Sequence, residues 1–482
     1  MIAFADDPTK KRAGSLSYRP LAGRPNEQEM PLMRRLTGNN HRTRLPRAEA
    51  RPAYRPVSSA VKHTGLLLAL FLIGSLLARA EAASVLLGID VLERTRFSAL
   101  QGRRIGLITN PASVDSAGRP TRLVLKHAPG VRLVALFAPE HGISGDIGAG
   151  KHVSFLRDRL TGLPVHPLYG DTRHPTQSML AGLDALVFEL QDIGCRSYTY
   201  ISTMVEAMDA AGELGIPFFV LDRPNPLGGR RIEGPLVDPA WQSFVGRIPV
   251  PYVHGMTAGE IARMANRRGW VRHPCALQVI AMEGWRRDMV WEDTGLPWVR
   301  TSPNIPWATS PLYYVVTGFL GDLGADAGIG WSPYPFQYVS GRGLDASTLA
   351  HEIDRLGFAG VQAVPEGGHG GAVRLEINPR TSANLTALAI YLASRLNQAS
   401  HPPLLRKASA NGKEMLCKLY GSSSILTELN RHQSVREIAA QWRSSERAFA
   451  QARQAYLLYP DFPQIERGLR YPRATPVSAE HE

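Results

Sequence analysis

Between residues 102 and 221 the chain alternates short, largely apolar runs with amphipathic segments. The runs fall at 102–109, 133–137, 185–190 and 217–221. Segments at 119–127, ending at 180–183, and at 203–214 carry apolar residues at helical spacing. Strand-like and helical periods that alternate at this interval predict βαβ units and a mostly parallel, doubly wound α/β sheet. Beyond Pro226 the pattern changes to a Gly-, Pro- and Trp-rich chain with short strand-like pieces at 250–253, 276–280 and 371–377. Helices are predicted at 257–267, where Thr257 and Glu260 have capping-box spacing, and at 386–396 and 435–456. The reading is a doubly wound domain over 84–250, a smaller α+β domain over 251–463, and a tail over 464–482.

Each strand of the first half runs into a polar cluster. These are Thr109-Asn110-Pro111, Pro139-Glu140-His141-Gly142, Gln191-Asp192-Ile193-Gly194 and Asp222-Arg223-Pro224-Asn225-Pro226. Parallel strands bring such endings to one edge, where open α/β sheets bind ligands, so Glu140, Asp192, Asp222 and Arg223 are expected to share a cleft. Ordinary turn chemistry competes with this reading, because Asn-Pro and Asp-x-Pro are common turn formers and Glu-His can cap a helix. The glycines after Glu140-His141 leave a loop with little side-chain cover, which favours function there.

The net charge of +13 changes the picture only once it is located. Residues 1–63 hold 13 Lys/Arg and 5 Asp/Glu, a net of +8, leaving +5 for the rest. The folded part is nearly balanced, which removes the main support for nucleic-acid binding. The basic leader, residues 1–60, has no apolar periodicity and is expected to be disordered. It meets Lys62-His63, an apolar run over 65–77 and Ala78-Arg79-Ala80, which together read as a signal peptide over 61–83 and predict export to the periplasm or medium, with no stable membrane span after its removal. The distance of this run from Met1 points to a working start near Val57 or Val61.

Several chemistries are excluded or set aside. Cys195, Cys275 and Cys417 are too few and too far apart for a disulfide framework or a C-x-x-C metal site, so free thiols are expected. Gly145-Asp-Ile-Gly-Ala-Gly150-Lys151 has phosphate-loop spacing but continues with His152 where Ser or Thr is needed. No G-x-G-x-x-G follows the first strand. His141, His152, His166, His174 and His254 match neither H-x-x-x-H nor H-E-x-x-H. Neither cofactor nor metal is predicted, and no oligomeric state is assigned. Carboxylates suit the strand-end edge best: glycoside cleavage needs a carboxylic acid to protonate the leaving oxygen and a second group at the oxocarbenium-like centre. Glu140, beside apolar Phe137 and Pro139, is the candidate acid. Trp298, Asn304, Trp307, Tyr313 and Tyr314 are candidate sugar contacts, or core.

Taken together, Thr109-Asn-Pro-Ala-Ser113, Phe137-Ala-Pro-Glu-His-Gly142, Pro167-Leu-Tyr-Gly170, Phe188-Glu-Leu-Gln-Asp-Ile-Gly194, Tyr198-Thr-Tyr-Ile-Ser202, Leu221-Asp-Arg-Pro-Asn-Pro-Leu-Gly-Gly229, Glu233-Gly-Pro235, His254-Gly-Met-Thr257 and Ser302-Pro-Asn-Ile-Pro306 resemble the bacterial exo-β-N-acetylmuramidases of the NamZ type, long catalogued as a domain of unknown function. The similarity runs from about Leu86 to Tyr459. It implies a Rossmann-like domain followed by a smaller one, and release of N-acetylmuramic acid from non-reducing ends of peptidoglycan fragments. Carried over by motif, it implies Glu140 as catalytic acid with His141 beside it and Asp192 as a further catalytic residue, and substrate contacts from Asn110, Arg196, Asp222, Arg223, Asn225, Glu233, His254 and Asn304. One stretch departs: where the family carries Glu-Gly-Thr-Asn and then Glu-Gly-Arg-Gly, residues 320–330 read Leu-Gly-Asp-Leu-Gly-Ala-Asp-Ala-Gly-Ile-Gly. The departure bears on specificity and turnover, so a non-catalytic wall-sugar-binding relative is the alternative.

Overall fold

A computed structural model describes residues 85–323, 334–341, 343–367 and 371–461. The leader, the signal segment and the tail from residue 462 lie outside the described residues. The large sheet is built from β1 (Arg104–Ile108), β2 (Arg132–Ala138), β3 (Leu156–Arg157), β4 (Pro164–Pro167), β5 (Ala185–Phe188), β6 (Phe218–Leu221) and β7 (Leu277–Ile280), in the order β3-β4-β2-β1-β5-β6-β7. All neighbours are parallel except the β3–β4 hairpin. The six parallel strands therefore stand as third, second, first, fourth, fifth and sixth along the chain, the Rossmann-like order, and the direction of winding reverses between β1 and β5.

The central strands β5 and β6 are apolar and buried along their whole length because both faces are covered. Leu186, Phe188, Phe218 and Val220 face one core, while Ala185, Val187, Phe219 and Leu221 face the other, as the two-residue alternation of a strand requires. On the first face lies α1 (Tyr200–Glu213), buried over most of its length.

The expected boundary at 250 falls inside this sheet. After β6 the chain wanders through a Gly/Pro-rich stretch whose composition reads as a linker, then forms α2 (Ala258–Arg267), the crossover helix that returns it to β7 beside β6. The predicted strand at 250–253 is no strand; Val253 makes isolated bridges to Cys195 and Glu233. The smaller sheet starts only at β8 (Tyr338–Ser340) and continues with β9 (Val361–Glu366) and β10 (Ala372–Ile377), antiparallel in the order β8-β10-β9. It packs with the helices Ser310–Thr317 and Ala346–Arg355, while α3 (Leu385–Ala399) and α4 (Val435–Ala452), close to the predicted helices, pack on each other. Cys195, Cys275 and Cys417 are free and buried.

Candidate active site

β2 stops at Pro139, and the chain then turns away sharply. His141 takes a left-handed conformation (φ 72°) and Gly142 another (φ 74°). For a histidine this is a sparsely populated region that persists only where its surroundings enforce it. Here the enforcement is local: the Ile147 backbone N–H donates to the His141 carbonyl (3.3 Å), and the His141 ring bonds the Ile147 carbonyl through Nδ1 (2.7 Å). A carbonyl only accepts, so Nδ1 carries the proton and, in the neutral ring, Nε2 keeps its lone pair.

Glu140, almost fully buried, is held at both oxygens. Oε1 accepts from the backbone N–H of Gly150 (2.7 Å), and Oε2 from the Thr199 hydroxyl (2.6 Å). The two donors differ in what they permit. An amide N–H can only donate, which commits Oε1 to accepting in either protonation state; a hydroxyl can reverse, so a proton on Oε2 finds Thr199 as its acceptor. The glycine run after His141, whose spacing suggests a phosphate loop, thus serves a carboxylate through the Gly150 amide. Thr199 comes from the residue that precedes α1, after β5. Tyr169, just past β4, adds a phenol whose pKa is pushed up by burial and by the nearby Glu140 carboxylate.

Glu140 and His141 open onto a cavity of about 230 Å³. Tyr169, Ser197, Tyr198 and Thr199 line it from the sheet edge, and Ser302, Asn304, Tyr314, Phe336 and Met415 from the later part of the chain. Its volume lies below the roughly 300–1,000 Å³ of drug-sized pockets, which suits a single sugar ring better than a polymer. Two larger depressions, about 540 and 690 Å³, are more open grooves. In the first, Arg231, Arg287 and Arg380 are already ion-paired, so its size carries less weight than the enclosure around Glu140.

The other expected site residues are placed elsewhere. Asp192 lies past β5 on the same edge but folds back on its own turn, with Oδ2 accepting from Gly194 N–H (2.7 Å) and Oδ1 buried without a partner; burial pushes its carboxyl up to about 7. It is absent from the cavity wall, so the pairing of carboxylates does not form there. Asn110 bonds the Tyr200 hydroxyl and the Ala112 amide. Arg223 is sequestered by Glu189, Gln191 and the Val114 carbonyl, and Asn225 spans Met256 and Leu227. Asp222 accepts from Thr257, Tyr459 and the amides of Arg223 and Gly259. Arg196 donates to four backbone carbonyls, of Pro235, Val250, Leu419 and Tyr420. Glu233 pairs with Arg231 and caps α3 through Thr386. His254 is fully buried, accepts from Met256 N–H at Nδ1, and is pushed down to about 3 by burial and then by Arg453 and Arg196. Asn110, Arg196, Asp222, Arg223 and Asn225 thus exchange water for internal partners in a closed interior, which is a structural task. Of the expected residues, Glu140, His141, Asn304 and Tyr314 line the cavity. Tyr169 and Thr199 were missed because neither is an acid, base or metal ligand; their only signal was membership of the Pro167–Gly170 and Tyr198–Ser202 segments.

Comparison with known proteins agrees with the resemblance. Residues 105–309 match the family model for the exo-β-N-acetylmuramidase NamZ N-terminal domain and residues 312–459 that for its C-terminal domain. The peptidoglycan β-N-acetylmuramidase NamZ of Bacillus subtilis (strain 168) is 36% identical over 390 residues, covering 79% of this chain and 92% of the relative. A crystal structure of a DUF1343 family protein from Bacteroides fragilis NCTC 9343 superposes with a TM-score of 0.70 at 38% identity, covering 78% of this chain and 99% of that one. A second such structure from the same organism, at 24% identity and a TM-score of 0.61 over 79% of this chain and all of the other, shares the fold. The chain belongs to the exo-β-N-acetylmuramidase NamZ family and is a glycosidase.

Proposed function

We propose that the protein removes N-acetylmuramic acid, or a closely related amino sugar, from the non-reducing ends of peptidoglycan fragments, with Glu140 delivering the proton to the leaving oxygen. The observation that carries this is the fixed Glu140 carboxyl facing a one-sugar cavity, with Oε1 tied to an amide and Oε2 left next to a reversible hydroxyl. Glu140 is the one carboxylate among the described residues of the cavity wall. An N-acetyl sugar supplies a partner itself, because the acetamido oxygen beside the anomeric carbon can take the nucleophile's role, as in substrate-assisted glycosidases. His141 then offers Nε2 to a sugar hydroxyl or amide N–H. Whether configuration is retained follows from this: acetamido participation retains it.

A second reading has one observation in its favour. Gly321, within the stretch 320–330 where the family pattern is replaced, lines the cavity beside Gly318 just before it, so a wall there is built without the family's acids; residues 324–333 lie outside the described residues. A binding protein without turnover would look the same from the sheet side. Release of a chromogenic aglycone from a β-linked N-acetylmuramyl substrate by the wild type, with turnover of the natural fragment lost in Glu140→Gln, is the expected result. Calorimetric binding of the sugar with no release by the wild type would favour the binding protein.

We also infer export, on the strength of the basic flank, apolar run and small-residue site over 62–83. Among the described residues no helix is long and apolar enough to cross a membrane. N-terminal sequencing of protein from the extracytoplasmic fraction should begin between residues 81 and 84; an unprocessed cytoplasmic protein would overturn this.

A further inference from the structure

A cavity of about 230 Å³ takes one sugar ring, so the saccharide that leaves has to rest outside it, with its oxygen still in reach of Glu140. The wall that runs outward from the acid is aromatic. Tyr198, Tyr314 and Phe336 all line the cavity, and their rings follow one another at centroid distances of 6.2 Å and 5.1 Å. Phe336 stands in the left-handed region (φ 66°), as His141 does beside Glu140, and its carbonyl accepts from the Thr317 hydroxyl (2.8 Å). A bulky residue keeps such a backbone only where its surroundings enforce it, and residues of this kind gather at ligand sites.

Tyr334 comes two residues before Phe336, and Trp307 two residues after Ile305, which also lines the cavity. Their rings stack, 27° from parallel with centroids 5.7 Å apart, and so join the two wall segments outside the cavity itself. Both remain open to solvent, Trp307 at 39% and Tyr334 at 43%. One large apolar side chain on a surface needs no explanation, but two that stack on each other beside a ligand cavity form a patch. Among the described residues the Trp307 indole N–H and the Tyr334 hydroxyl make no hydrogen bond. A ring face with a polar edge suits a pyranose, which shows C–H bonds on its faces and hydroxyls around its rim.

We propose that the Trp307–Tyr334 pair is the platform on which the leaving saccharide stacks, an uncharged N-acetylated sugar ring held outside the cavity while Glu140 protonates its oxygen. This rests on the glycosidase reading of the cavity given above. The pair would hold the glycan by ring faces rather than by charge, beside the wall at 320–330 that lacks the family's acids.

The test compares two substrates that both release an alcohol: N-acetylmuramic acid β-linked to N-acetylglucosamine, and the methyl β-glycoside of N-acetylmuramic acid. The wild type is expected to favour the disaccharide in kcat/KM by about tenfold or more. Trp307→Ala combined with Tyr334→Ala should lower the disaccharide by about that factor and leave the methyl glycoside within about threefold of the wild type. Binding supplies a readout that needs no turnover. The disaccharide should shift the tryptophan emission of the wild type but not that of Trp307→Phe, whereas N-acetylmuramic acid alone, confined to the cavity, should leave the Trp307 emission unchanged. Should the double variant fail to fold, this emission arm decides through the conservative Trp307→Phe, and a shift that survives there would overturn the proposal. Equal kcat/KM for the two substrates in the wild type, or a loss in the folded double variant shared equally by both, would overturn it as well. A Trp307-dependent shift without hydrolysis would uphold the platform while removing the hydrolase reading, and hydrolysis indifferent to the aglycone would do the reverse.

Discussion

Glu140 and Asp222 reach the same edge of the sheet by the same route, one or two residues past a parallel strand, yet they end in opposite environments. Glu140 faces a cavity and is held by two donors. Asp222 is covered completely, and its four donors come from α2's first turn, its own turn and the distant Tyr459. The strand places a carboxylate; what packs over the strand end then decides whether it becomes a reagent or a rivet. At β2 the cover is a glycine loop that yields one amide and leaves a face open. At β6 it is the N-terminus of a helix, whose unpaired amides and positive end welcome an acid.

The difference predicts that activity and stability separate between the two residues. Glu140→Gln keeps the shape and the hydrogen-bonding surface but carries no transferable proton, so turnover of a substrate with a poor leaving group should fall by a factor on the order of 10² to 10⁴. A substrate with a good leaving group should be spared much of the loss, and the melting temperature should hardly move. Near-wild-type rates on the natural fragment would remove Glu140 from the chemistry. Asp222→Ala should do the converse. It leaves the Thr257 and Tyr459 hydroxyls and two amides without their acceptor, at a cost of about 3 kcal/mol, which in a chain this size lowers the melting temperature by roughly 4 °C. Folded Asp222→Ala that turns over normally sharpens the comparison, whereas wild-type stability with lost activity would put Asp222 in the site after all.

Thr199 probes a smaller effect on the Glu140 side. Thr199→Val keeps the shape and removes only the hydroxyl beside Oε2. A fall in kcat of about tenfold with little change in KM is expected, and Thr199→Ser should restore most of it. A change confined to KM would make the hydroxyl a substrate contact instead.

How far these fates were legible in the sequence follows from where the deciding contacts come from. The parallel order was readable because period and length are local properties, and the capping box at Thr257 and Glu260 was readable for the same reason. Glu140-His141 stood out because glycines follow it directly. The boundary at 250 was misplaced because a Gly/Pro-rich crossover and a linker have the same composition; only the pairing of β7 with β6 tells them apart. Asp222, Arg223, Arg196 and Glu233 looked like site residues because a charged group in a loop is usually wet. Their partners, such as Tyr459 for Asp222 and Leu419 for Arg196, lie more than 200 residues away and leave no local trace. Thr199 and Tyr169 carry no charge at neutral pH, so nothing in their chemistry flags them until Glu140 is seen beside them.

Asp192 tests the comparison at its finest point, since it lies on the same edge and belongs cleanly to neither kind. Its Oδ1 is buried and unpartnered, and burial raises the carboxyl from 3.8 to about 7. The folded protein therefore binds this proton more tightly than the unfolded chain does. By linkage the stabilisation is complete below about pH 4, and it is lost progressively as pH rises towards 7, where the folded form must finally hold a buried charge. Asp192→Asn removes the titration. Its melting temperature should vary less between pH 4 and 7 than the wild type's, and turnover should stay within about threefold, because the residue is absent from the cavity wall. An unchanged pH dependence of stability would mean that water reaches Oδ1. A rate loss comparable with that of Glu140→Gln would mean instead that the turn at 192–194 opens when sugar binds, giving Glu140 the carboxylate partner that the closed form withholds.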